Sequence, residues 1–106
     1  MGHYLLRASY TQQGIQGVLK ERGTARARAV EAVVASVGGT VVCQFWAFGA
    51  DDYVAIADLP DNIAAASVAA TVAATGAVAI STTVLLTADE IDEAVRRHPS
   101  YRAPGA

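Results

Sequence analysis

The chain is short of the residues that most often declare a function. It has one cysteine, Cys43, and two histidines, His3 and His98, among 106 residues. An internal disulfide framework is thereby excluded, and the histidines and cysteine supply no closely spaced ligand set, so neither a metal nor a cofactor is expected. Charge is also sparse: eight Lys and Arg stand against ten Asp and Glu, for a net charge of −2. The basic residues Arg7, Lys20, Arg22, Arg26, Arg28, Arg96, Arg97 and Arg102 are scattered, which leaves no surface to track a phosphate backbone. Nucleic acid is not an expected partner.

One uncharged run needs explaining. Asn62 to Leu86 is long enough to cross a bilayer and holds no charged residue. Its first half is mostly alanine, however, and insertion is driven by Leu, Ile, Phe and Val. Gly76 then divides a helical half from a β-branched half, a change of class that would strand backbone groups in lipid. The run reads as a helix followed by a strand, with no membrane partner. The N-terminal Met-Gly-His-Tyr-Leu-Leu-Arg places its charge after a two-residue apolar run, unlike a signal peptide. A reduced, cytoplasmic setting is expected, with Cys43 as a small core residue.

What is present is a clear succession of elements. His3 to Tyr10 alternates, with Tyr4, Leu6 and Ala8 on one face and Leu5, Arg7 and Ser9 on the other. Thr11 to Gly17 reads as a turn region, Gly17 to Arg22 as one or two helical turns, and the main helix as beginning at an N-cap, Thr24. Its stripe Val30, Val33, Val34 and Val37 faces inward, with Arg26, Arg28 and Glu31 outside it, and Gly38-Gly39 ends it. Thr40 to Phe48 and Tyr53 to Asp58 are strands. Pro60 with Asp61 or Asn62 opens a second helix that buries Val68 and Val72 and runs to about Thr75. Ala77 to Leu86 is a fourth strand, and Thr87-Ala-Asp-Glu90 is a capping box for a third helix in which Ile91, Ala94 and Val95 pack inward. Residues 1–98 make one domain and 99–106 a mobile tail.

The order β-α-β-β-α-β-α predicts an α+β, ferredoxin-like fold with an added C-terminal helix and a four-stranded antiparallel sheet ordered 4-1-3-2. A short turn at Gly49-Ala50-Asp51-Asp52 pairs Phe48 with Tyr53. In that register Gln44, Trp46 and Phe48 share a face with Tyr53, while Phe45, Val54 and Ile56 share the opposite, aliphatic face. The helices are expected over the aliphatic face, leaving the mixed aromatic and polar face open. An open face carrying Trp46 and Phe48 predicts burial by a second copy, hence a homo-oligomer.

Candidate chemistry collects on that expected open face. Arg7, Ser9, Gln44, Trp46, Tyr53, and Thr83 or Ser81 would combine a guanidinium with an indole and hydroxyls, a set suited to a small carboxylated or aromatic ligand. Arg7 needs an anion, from that ligand or from Asp51 or Asp52 of a neighbouring subunit. Within the turn, Gly49 is expected at positive φ and Asp51 and Asp52 as structural caps of backbone amides. His3 reads as a half-solvated terminal residue and His98 as part of a helix end. No Ser-His-Asp arrangement and no dinucleotide fingerprint is present.

Tyr10-Thr11, Gly14-Ile15, Gly38-Gly39, Phe48-Gly49-Ala50-Asp51-Asp52, Leu59-Pro60-Asp61, Thr82-Thr83 and Glu90 occur at spacings that resemble the GYD-domain family. The resemblance covers residues 3 to 97. It implies a small bacterial protein of ferredoxin-like, dimeric α+β barrel type whose biochemical role is not established. Where the family reads Gly-x-Tyr-Asp, Asp51 replaces the tyrosine, while Gly49 and Asp52 match. These features together favour a small oligomeric binding or regulatory protein. The alternative is a cofactor-independent enzyme of the kind found on such barrels, a monooxygenase, isomerase or haem-degrading protein, on fold analogy alone.

Overall fold

A computed structural model describes residues 1–106. The elements are β1 (Gly2–Tyr10), α1 (Gln12–Ser36), β2 (Thr40–Trp46), β3 (Tyr53–Leu59), α2 (Asn62–Ala74), β4 (Val78–Leu85) and α3 (Ala88–Arg96). The strands form one antiparallel sheet ordered β2-β3-β1-β4. This is an α+β, ferredoxin-like arrangement with an added helix, and its strand order is the expected one read from the other edge. No helix is long and apolar enough to cross a membrane.

The core lies between one face of the sheet and the first two helices. Tyr4, Leu6 and Ala8 of β1 and Tyr53, Ala55, Ala57 and Leu59 of β3 are buried there, under Val34 of α1 and Ala65 and Val68 of α2. Small residues on β3 and α2 let the helix backbone approach closely. The valine stripe behaves as its spacing predicts: Val34 is fully buried, with Val30, Val33 and Val37 packed around it.

Four expectations are corrected. First, α1 begins at Gln12, capped by Thr11, whose side chain accepts from the Gly14 amide at 3.2 Å. Thr24 is not the cap, and the interruption falls at Arg22 (φ 72°, ψ 170°), not at Gly23. The early glycines mislead because Gly14 serves proximity: a Cβ there would lie 1.9 Å from the carbonyl oxygen of Ala77, where the first turn of α1 meets the residue leading into β4. Second, the β2–β3 register is shifted by two residues. Tyr53 pairs with Trp46 rather than Phe48, Val42 bulges between Val41 and Cys43, and Ala47 to Asp52 form a longer loop closed by the Ala47 amide on the Asp52 carbonyl at 2.8 Å.

Third, the faces of the sheet are exchanged. Tyr53 and its neighbour Trp46 lie on the helix side, and the uncovered face carries Leu5, Phe45, Val54 and Ile56. Alternation could not decide this, because β3 is apolar on both faces down to Asp58. Fourth, α3 packs on nothing. Its capping box forms, with the Thr87 amide donating to Glu90 Oε1 at 2.9 Å and the Glu90 amide to Thr87 Oγ1 at 3.2 Å. Yet Ile91 is 47% and Val95 65% exposed, and none of the helix is buried. The Thr87 bonds hold the Glu90 carboxyl below the ordinary glutamate range, so the cap is intact above that range and is lost on acidification through the lowered value.

His3 is half-exposed within β1, as expected, but it is not free: it lies opposite Asp58, and its Nδ1 pairs with the Asp58 carboxylate. Two glycines on α1 give a test of the close approach. Gly14→Ala should cost more than about 2 kcal/mol, because backbone meets the new methyl, whereas Gly17→Ala, which meets nothing within 4 Å, should stabilise by about 0.5–1 kcal/mol. Urea midpoints of the two variants check both signs.

Candidate functional site

The exchanged faces divide the expected binding constellation. Arg7, Ser9 and Thr83 lie on the uncovered face: Arg7 is exposed opposite Val54 and Ser81, Ser9 donates to the Ala50 carbonyl at 2.5 Å, and Thr83 lies opposite Leu5. Gln44, Trp46 and Tyr53 lie on the other face, beneath α1. No single pocket can hold all six.

The covered half is instead joined by a polar relay and aromatic stacking. Tyr53 donates its hydroxyl to Gln44 Oε1 at 2.5 Å, and Gln44 Nε2 donates to Glu31 Oε1 at 3.0 Å. Burial, reinforced by Tyr10 and Glu31, pushes the Tyr53 phenol far above the usual tyrosine range. It therefore stays a neutral donor and is unsuited to act as a base near neutral pH. Trp46 stacks on Tyr10 at 5.6 Å and meets Tyr53 edge-on at 5.5 Å. Gly23 makes room for the indole: a Cβ there would lie 3.1 Å from Trp46 Nε1.

Beside this aromatic group, between the helices and the sheet, is a cavity of about 180 Å³. Leu6, Tyr10, Tyr53, Val30, Val33 and Val72 are among its walls, and Arg26 is the one charged residue lining it. Tyr10, Arg26, Val72 and Val78 also border a second, more polar groove beside the first half of α1. Arg26 thus joins an apolar chamber to a polar approach. Its side chain is 29% exposed and its only ionic neighbour is Glu21, at 3.7 Å.

The sequence reading set Arg26 outside the valine stripe, and the structure corrects that. Arg26 is four residues before Val30 and seven before Val33, the spacing of one helix face, so a charge in phase with a buried stripe was the available signal.

The hairpin residues act structurally. Gly49 has φ 144°, as its positive-φ assignment requires. The Asp52 carboxylate accepts from the Tyr10 amide at 2.9 Å and the Asp52 amide donates to the Ala8 carbonyl at 2.8 Å, which staples the loop to the end of β1. The Asp51 carboxylate has no hydrogen-bond or ionic partner within the chain, so only Asp52 caps an amide.

A family model for the GYD domain matches residues 4–95. The chain belongs to the GYD-domain family. No curated protein and no solved structure matches it. Within the GYD-domain match fall the cavity, Arg26, the relay and the Asp52 staple, but only the first eight of the nine residues of α3. The staple yields a prediction: Asp52→Ala leaves the Tyr10 amide without its charged acceptor and should cost about 1.5–3 kcal/mol. A denaturation midpoint within error of wild type would show that water replaces the carboxylate.

Proposed function

We propose that this GYD-domain protein is a small homo-oligomeric binding protein that holds a small apolar carboxylic acid in the cavity beneath α1. The carrying observation is Arg26 at the edge of an otherwise apolar chamber. A cavity of about 150 Å³ lined by apolar side chains is enough to hold benzene, so about 180 Å³ suits one ring or a short branched chain. The guanidinium would take the carboxylate at the polar approach, exchanging its long contact with Glu21 for a charge-assisted pair. Tyr10 and Tyr53 would flank the apolar body. No observation favours an enzyme over a binding protein.

Self-association follows from the other face. Leu5, Phe45, Val54 and Ile56 lie on it, and Phe45 is 69% exposed. Stacking the faces of two copies would remove this surface from water. Arg7 has no ionic partner in its own chain, and Asp51, the hairpin carboxylate that caps no amide, would supply one from a second copy. A reducing, cytoplasmic location suits the free thiol of Cys43 on the same face.

The two arginines separate the two halves of this reading. Titrating benzoate, phenylacetate and isovalerate against Trp46 fluorescence, Arg26→Ala should weaken binding roughly 10- to 150-fold, the equivalent of about 1.5–3 kcal/mol, and leave the oligomer intact. Arg7→Ala should weaken self-association and spare acid binding. Wild type that responds to none of the acids would remove the ligand half of the proposal.

A further inference from the structure

α3 is well formed and unpartnered. Its capping box starts it, and Glu93 pairs with Arg96 at 3.4 Å and Arg97 at 3.8 Å along its last turns. Ile91 and Val95, four residues apart, nevertheless face solvent. The chain measures 57 × 33 × 23 Å with a radius of gyration of 16.8 Å, against about 13 Å for a compact domain of this length. The helix and the residues after it are an arm held away from the body.

Area suggests what the arm rests on. At about 3.3 Å per residue and about 4.8 Å between strands, the uncovered sheet face spans roughly 450–500 Å², short of the roughly 800 Å² that each partner of a standard interface buries. A nine-residue helix adds a footprint about 13 Å by 10 Å, and a symmetric pair counts it twice on each copy, once given and once received. Roughly 270 Å² is gained, which brings the total close to the standard.

Topology suggests where it rests. β4, from which the arm leaves, and β2 are the two edges of the sheet. When two copies stack face to face about a two-fold axis running along the strands, β4 of one copy lies over β2 of the other. That edge exposes Val42 at 57% and Phe45 at 69%.

We propose that α3 is an exchanged arm that crosses the β2 edge of a second copy and seats Ile91 and Val95 against that copy's Val42 and Phe45. The inference rests on the face-to-face self-association proposed above and names the element that completes it. Sedimentation velocity of the full chain over a concentration series tests it, comparing wild type with the double variant Ile91→Asp/Val95→Asp. Neither residue belongs to the core, so circular dichroism and Trp46 fluorescence should match wild type, confirming a folded body. The expected result is a wild-type dimer and a dissociation constant raised on the order of 100-fold in the variant. A wild-type dimer with an unchanged constant in the variant overturns the arm and leaves the stacked faces standing. A wild-type monomer throughout overturns both.

Discussion

β3 is hydrogen-bonded to β1 on one side and to β2 on the other, and the burial of its Tyr53, Ala55, Ala57 and Leu59 beneath the helices decides where every other side chain of the sheet points. Slipping the strand by one residue would carry Asp58 under α1 and α2 and bring Leu59 out. Losing Leu59 from the core alone forgoes about 1.5–3 kcal/mol, and an unpaired carboxylate in that interior would cost several more. The His3–Asp58 pair on the opposite face gives the same carboxylate a partner only in the observed register. The small residues then set the depth of the helix layer: the methyls of Ala55, Ala57 and Ala65 admit Val34 until it has no exposed surface.

Much of the fold was legible because its signals were local. The capping box at Thr87 and Glu90, the Asp61 cap of α2 and the valine stripe of α1 each report on one or two turns of chain, and the structure forms them all. Sheet handedness was not local. Val54 and Ile56 are larger and more hydrophobic than Ala55 and Ala57, so burial by bulk points to the wrong side. Close helix approach reverses the choice, and alanine content, not side-chain size, carried that information. The inward packing expected of α3 failed similarly: an amphipathic helix signals that a partner surface exists, not that its own chain supplies it.

The candidate site moved for the same reason. Gln44, Trp46 and Tyr53 were correctly grouped with one another, since cross-strand neighbours keep company whichever face they occupy. Arg7 was wrongly added to them, because β1 places Leu6 and Ala8, not Arg7, opposite Ala55 and Tyr53. The arginine that reaches the aromatic group comes from the helix above. No strand pattern could have supplied it; the helical phase of Arg26 with Val30 and Val33 is the signal that could, and it went unread because the stripe was counted from Val30.

β3 also brings the two proposed surfaces within one residue of each other. Tyr53 walls the cavity and Val54, next in sequence, belongs to the uncovered face. A strand in the middle of a hydrogen-bonded sheet is stiff, and a ligand that fits the existing chamber has no differential contact with paired and unpaired copies; in that case occupancy and assembly are independent. Coupling would require the acid to displace Tyr53 and strain its bond to Gln44, whose other end is held by Glu31 of α1. The relay therefore works against coupling: it ties the cavity wall to the helix layer, so that a ligand pushing on Tyr53 moves α1 before it moves the face on which a second copy would sit.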